Sequence, residues 1–257
     1  MSVYLKLFTR NSLMRFNTRQ KLVLIALLTL SAPVFAAPLF DDNKWNSYYL
    51  GGSLGYADGR ANNSEGDLRY NSQNIGKYSA NGAQYGIYGG KNWSMNEKIV
   101  FGVDVGFGNL HIKNSRQLDF FKNLGAEGDS IATTTNGLFV EAAGRLGIKL
   151  IEEKALIYLK AGYIQTDIKQ KFEDTCREDP CGGGLLFSNG ERQRGPLIGA
   201  GVEYNIQKNI NVRLDYTHYA FGSVTQTSEI FTSPGNYANF SHNLNMDTLR
   251  IGAAYNF

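Results

Sequence analysis

From Tyr48 onward the chain returns to one pattern, with apolar side chains at every second position and small or polar ones between them. The C-terminal stretch shows it without a break: Leu249, Ile251, Ala253, Tyr255 and Phe257 alternate with Arg250, Gly252, Ala254 and Asn256. Successive strand side chains point to opposite faces, so this spacing predicts a strand with one apolar face and one polar or small face. The same alternation sets Ile99, Phe101, Val103, Val105 and Phe107 against Gly102, Asp104, Gly106 and Gly108. It recurs at Tyr48–Tyr56, Gly82–Trp93, Leu138–Ile148, Ile157–Tyr163, Ile198–Ile206 and Ile210–Tyr216. Only near Lys91 is its phase ambiguous. With the last segment, eight strands are predicted.

The spacers alternate as well. Ser94-Met95-Asn96-Glu97, Glu152-Glu153-Lys154 and Gln207-Lys208-Asn209 are short and polar. The segments 59–80, 112–133, 169–193 and 222–245 are long and rich in Asn, Ser, Gly, Thr and Asp. A sandwich in water gives no reason for short and long connections to alternate, whereas a barrel crossing a membrane does. No stretch after residue 37 approaches the ~20 apolar residues of a spanning helix. The reading is an all-β, eight-stranded antiparallel up-and-down transmembrane β-barrel, with short periplasmic turns, long extracellular loops and both termini periplasmic. Aromatic residues near the strand ends (Tyr48, Tyr56, Trp93, Phe101, Phe107, Tyr163, Tyr204, Tyr216, Tyr255 and Phe257) fit the two membrane–water boundaries.

The N-terminus reads as an export signal. Lys6, Arg10, Arg15, Arg19 and Lys21 precede the apolar run Leu22–Leu30, and Ser31-Ala32-Pro33-Val34-Phe35-Ala36 ends in small residues. The apolar part is too short for a permanent span. Residues 1–36 are therefore expected to be cleaved, leaving a short periplasmic segment, 37–44, before the barrel at 45–257; Met14 is an alternative start. The whole chain has 26 Lys+Arg and 23 Asp+Glu. Removing the five basic residues of the signal leaves 21 against 23, a net charge of −2. That balance removes the compositional argument for nucleic-acid binding. The two cysteines, Cys176 and Cys181, flank Asp179-Pro180, and in an oxidising compartment they are expected to form a disulfide closing a small loop.

Parity assigns the charged strand residues to the interior. Asp104, Glu141, Glu203 and Asp215 face Arg145, Lys149, Lys160, Arg213 and Arg250 there, four acids against five bases. Buried charges persist when paired and hydrogen-bonded, and an eight-stranded barrel is just wide enough for side chains to fill it. A salt-bridged plug is expected rather than an open pore.

Several stretches resemble the small outer-membrane barrels of the OmpA/OmpX-like and opacity-protein type. The resemblance extends to the alphaproteobacterial surface-antigen and hemin-binding barrels. They are Trp45-Asn46-Ser47-Tyr48-Tyr49-Leu50-Gly51-Gly52, Gly199-Ala200-Gly201-Val202-Glu203-Tyr204, Arg213-Leu214-Asp215-Tyr216 with Phe221-Gly222, and Gly252-Ala253-Ala254-Tyr255-Asn256-Phe257. The resemblance implies that Tyr255 and Phe257 belong to the signal read by the barrel-assembly machinery, which the chain would reach with periplasmic chaperones. It also implies outer-membrane lipid and lipopolysaccharide as neighbours, and host surface molecules as contacts for the loops.

The function expected is structural and interactive: envelope integrity, adhesion or host contact through the loops, with no resident cofactor. Hemin or metal binding is the alternative, because His111, His218 and His242 all map to the extracellular half and imidazole is a common ligand. A small-solute porin is the second alternative. Enzymatic activity is not expected: His218-Tyr219-Ala220 has no serine two residues on, and Ser241-His242 is adjacent rather than spaced along one strand face.

Overall fold

Every backbone N–H and C=O in the hydrocarbon layer needs an internal partner, and strands meet that demand only by closing on themselves. The computed structural model describes residues 45–67, 73–117, 130–151, 154–173, 186–229 and 237–257. The expected signal 1–36 and the segment 37–44 lie outside those residues, as do Cys176 and Cys181. Eight strands follow in chain order: β1 (Tyr48–Asp67), β2 (Gln73–Ser94), β3 (Ile99–Gln117), β4 (Ser130–Leu150), β5 (Ala155–Glu173), β6 (Leu186–Gln207), β7 (Ile210–Glu229) and β8 (Tyr237–Asn256). Each pairs antiparallel with its neighbours, and β1–β8 pairing closes the barrel. At the closure Leu50 lies opposite Tyr255, and the Phe257 N–H donates to the Tyr48 carbonyl at 2.8 Å.

The turns are built locally. After β2, the Asn96 side-chain oxygen accepts from the N–H groups of both Lys98 and Ile99 at 2.8 Å, an Asx turn. After β4, Ile151 adopts φ 51°, unusual for a β-branched residue, and its carbonyl accepts from the Lys154 N–H at 2.9 Å.

The strands run 19 to 22 residues, about twice the 9–11 a membrane-crossing strand needs. Among the described residues, large exposed apolar side chains line the outside over the periplasmic half of each strand. They end at an upper rim of Tyr56, Tyr85, Phe107, Tyr163 and Tyr216, while Trp93, Phe101, Tyr204, Tyr255 and Phe257 mark the lower one. Lys91 sits at that lower rim, its ammonium 4.2 Å from the Tyr48 ring centre and 5.4 Å from that of Trp93. This outward position settles its phase: the stem lies against aromatic surface and the charge reaches the boundary.

Above the upper rim the pattern inverts. Leu110 and Ile112 on β3, Ile164 and Ile168 on β5, and Leu244 and Met246 on β8 turn inward into one buried apolar cluster. Asp58, Arg60, Lys113, Asp167, Lys169 and Asp247 take the outward positions. The expected loops 59–80, 112–133, 169–193 and 222–245 are thus in large part strand. Outside the lipid an outward side chain has no reason to be apolar, so the alternation fades on one face and resumes on the other.

The wall is not uniform in this projecting half. Between β6 and β7 the ladder stops at Leu197–Tyr219, although β6 remains paired with β5 as far back as Leu186 and β7 with β8 as far as Glu229. Two devices coincide there. Pro196 has no N–H to give, and a register shift at Ala220/Gly222, with Gly222 at φ 76°, bends β7. The β2–β3 ladder likewise begins only at Asn81–Lys113, where the Asn114 amide donates across the gap to the Ser79 carbonyl.

Candidate functional site

Inward positions of the membrane-spanning half carry the charged chemistry. Asp104, Glu141, Arg145, Lys149, Lys160, Glu203, Arg213, Asp215 and Arg250 are all buried inside the wall. Asp215 is the hub: its carboxylate takes Lys160 Nζ at 2.7 Å, Arg250 Nη2 at 2.9 Å and Arg213 Nε at 3.5 Å. Arg250 reaches on to Glu141 at 2.6 Å, and the Tyr219 hydroxyl donates to the same carboxylate at 2.7 Å. Arg213 reaches the other way to Asp104 at 3.0 Å, which also accepts from the Tyr49 hydroxyl at 3.0 Å. Arg145 binds Glu203 at 2.8 Å, and Glu203 accepts from the Asn211 amide at 2.6 Å. These contacts tie β1, β3, β4, β5, β6, β7 and β8 together across the lumen. Ring faces complete the layer, with the Arg213 guanidinium 3.3 Å from the Tyr88 ring centre and that of Arg145 between Tyr49 and Tyr158 at 5.0 and 4.7 Å.

Glycines make room for this layer. Gly106 lies opposite Glu141, Gly102 opposite Arg145, Gly199 opposite Lys160, Gly201 opposite Asp215 and Gly252 opposite Arg213. A Cβ at Gly106 would stand 2.9 Å from the Glu141 Cγ, and one at Gly201 2.5 Å from the Tyr158 ring. The charged layer has a buried apolar cluster on each side of it along the strands. Above it lies the inward apolar cluster; below it Trp45, Val100, Leu156 and Tyr158 pack together, with Trp45 only 1% exposed.

Parity identifies which residues face inward but not which of them meet. Asn92, Asn211, Thr217 and the tyrosines of the layer, which join the network as partners, share the inward parity of the charges. That shared parity was the signal available for them.

The histidines are not brought together. His111 projects outward from β3 and His218 from β7, four strands apart either way round an eight-strand ring. His242 occupies a β8 position opposite Asn63 of β1 and Val224 of β7. His218 instead bonds to Asp247 at 2.8 Å on the outer wall, where the Tyr216 hydroxyl also donates to Asp247. Among the described residues no group of His, Cys, Asp or Glu is arranged to hold a metal ion. Tyr255 and Phe257 lie on the outside of the closing strand, their rings edge-on at 5.1 Å, and the Asn209 amide donates to the Tyr255 hydroxyl at 3.1 Å.

Residues 22–257 match the outer membrane protein beta-barrel domain family. The 31 kDa outer-membrane immunogenic proteins of Brucella melitensis biotype 1 and Brucella suis biovar 1 are each 26% identical to this chain over 234 residues, with 88% of this chain and 89% of theirs covered. Among solved structures, the outer membrane protein OprG from Pseudomonas aeruginosa shares the fold at a TM-score of 0.55 and 11% identity, over 85% of this chain and 99% of that one.

Proposed function

The chain belongs to the outer membrane protein beta-barrel domain family, and from that premise we propose that it is a closed display barrel: a rigid stem that presents its strand-linking segments to the outside and conducts no solute. One observation carries the reading, the inversion of the apolar face at the upper rim. Below the rim the barrel is apolar outside and ionic inside, as a membrane wall; above it the described residues are polar outside and apolar inside. Building a second, water-solvated storey serves no purpose for a passive pore, whose best length is the membrane's own thickness. It serves a protein whose working surface must stand clear of the lipid. The segments 68–72, 118–129, 174–185 and 230–236 connect the strands in sequence at that end, and loops on a rigid scaffold are where binding function concentrates. Adhesion or host contact through them, with a supporting role in envelope integrity, is the function this architecture suits. The immunogenic character named for the Brucella relatives is in keeping with an exposed outer end.

The lumen supports the non-conducting part. Buried ion pairs project into the bore from opposite walls with tyrosine rings against them, and apolar clusters lie above and below, an arrangement that leaves little room for a water-filled path. The test is paired. The refolded barrel is inserted into planar lipid bilayers, where it should give no steady ohmic current. A variant with the four linking segments replaced by short turns is compared with the parent for attachment of expressing cells to host cells. Loss of attachment, with the heat-modifiable gel shift of a folded barrel retained, is the expected result. Stable unit conductance, or attachment indifferent to the linking segments, would overturn the proposal.

A further inference from the structure

Among the described residues, the outward surface above the rim is electrically two-sided. On the β7–β8–β1 sector, Asp58 and Asp247 outweigh Arg60 beside His218. On the β3–β5–β6 sector, Lys113, Lys169, Arg192 and Arg194 are all exposed, and Asp167, which Arg192 engages at 3.3 Å, is the one exposed carboxylate among the described residues there. Lys113, Lys169 and Arg194 make no ion pair with any described residue. The strand register gathers the four cations into one patch. Lys113 and Lys169 lie opposite Thr134 from its two sides, about 10 Å apart across β4; Lys169 lies opposite Gly190, two positions from Arg192.

The height of this patch selects its neighbour. Lys113 and Lys169 lie six positions beyond the rim residues Phe107 and Tyr163 on their own strands. At the rise and tilt of barrel strands that is about 15 Å above the aromatic rim. A phospholipid headgroup layer adds only about 5–7 Å to each side of the hydrocarbon core. Side chains pointing radially outward at this height meet whatever stands tallest in the surrounding leaflet.

We propose that the Lys113–Lys169–Arg192–Arg194 patch binds the anionic core saccharide of a lipopolysaccharide molecule packed against the β3–β6 side of the barrel. The inference rests on the reading of the chain as a surface barrel, and it adds a specific lateral ligand. Phosphate and carboxylate groups on a sugar scaffold offer several charges spread over the width of the patch, and the arginines can clasp them bidentately. The two-sided charge gives the bound glycolipid one preferred side of the wall.

The experiment refolds the full barrel with lipopolysaccharide bearing its core sugars, with lipid A lacking them, or with anionic phospholipid. Molecules retained per barrel are then counted by native mass spectrometry at low and moderate salt. The parent should retain the core-bearing form selectively. A K113Q/K169Q/R194Q variant should hold it about tenfold more weakly, as three exposed and screened charge contacts allow, and an R60Q control should match the parent. Retention unchanged in the triple variant, or equal retention of core-free lipid A, would overturn the proposal. A heat-modifiable gel shift on each sample separates the two readings: a folded barrel that retains no glycolipid refutes only this inference, whereas one that fails to fold into lipid refutes the surface-barrel reading beneath it.

Discussion

Asp215 holds the centre of the charged layer through three cations from three other inward positions, Lys160, Arg213 and Arg250. Removing one member of a buried ionic network leaves its partners charged and uncompensated, which costs about 3–5 kcal/mol. Asp215→Asn should lower the unfolding free energy of the micelle-bound barrel, read from urea titration, by that order, and a change of less than about 1 kcal/mol would mean that Lys160 and the arginines find other partners. The two tryptophans make a second residue-scale test. Trp93 is 39% exposed on the lower rim and Trp45 is buried beneath the charged layer. Brominated acyl chains should quench the parent through Trp93 alone, so the emission of a W93F barrel should survive them; quenching there would place Trp45 against lipid. At this scale the inward side of each charge was legible, because parity is local. Its partners were not. Asp104 and Arg213 stand 109 residues apart, and only the registers of the closed ring bring them within 3.0 Å.

The strands themselves were readable only where they touch lipid. Val103, Val105 and Phe107 advertise β3 because water would reject them outside a membrane, but the same strand continues through His111, Lys113 and Gln117 with no outward signal. What marks the continuation is a change of phase: the apolar parity passes from odd positions up to Phe107 to even ones at Leu110 and Ile112. Reading one face at a time turns that change into an apparent loop. The phase change predicts opposite sensitivities at adjacent residues. Ile112→Ser puts a hydroxyl and a void into the apolar cluster and should cost about 3 kcal/mol, whereas Lys113→Ser should cost under about 0.5 kcal/mol. Chemical denaturation of both variants checks this, and equal losses would mean that β3 does not keep its register above the rim. The β6–β7 gap belongs to this scale too. Amides of β6 before Leu197 and of β7 after Tyr219 have one neighbouring strand where others have two, so they should exchange with deuterium before amides at the same height on β4.

In the whole molecule, two differently solvated halves share one continuous set of strands, and on β3, β5 and β8 the apolar face changes sides just above Phe107, Tyr163 and Leu249. That point acts as a depth gauge. Were the barrel to sink by one residue pair, Asp58 and Asp247 would enter hydrocarbon; were it to rise, Tyr163 and Leu249 would lose it. Helical proteins accommodate a bilayer of the wrong thickness by tilting, but a barrel pinned by charges above and aromatic rings below has little tilt to give. The lipid must adjust instead. Folding yield into vesicles of graded acyl-chain length should therefore peak sharply at a hydrocarbon thickness of about 25 Å, and a broad plateau across chain lengths would contradict it. A barrel with so firm a preference would gather thin patches of membrane around itself, and two such barrels would be drawn together by the shared cost of the thinned lipid between them, without a single protein–protein contact.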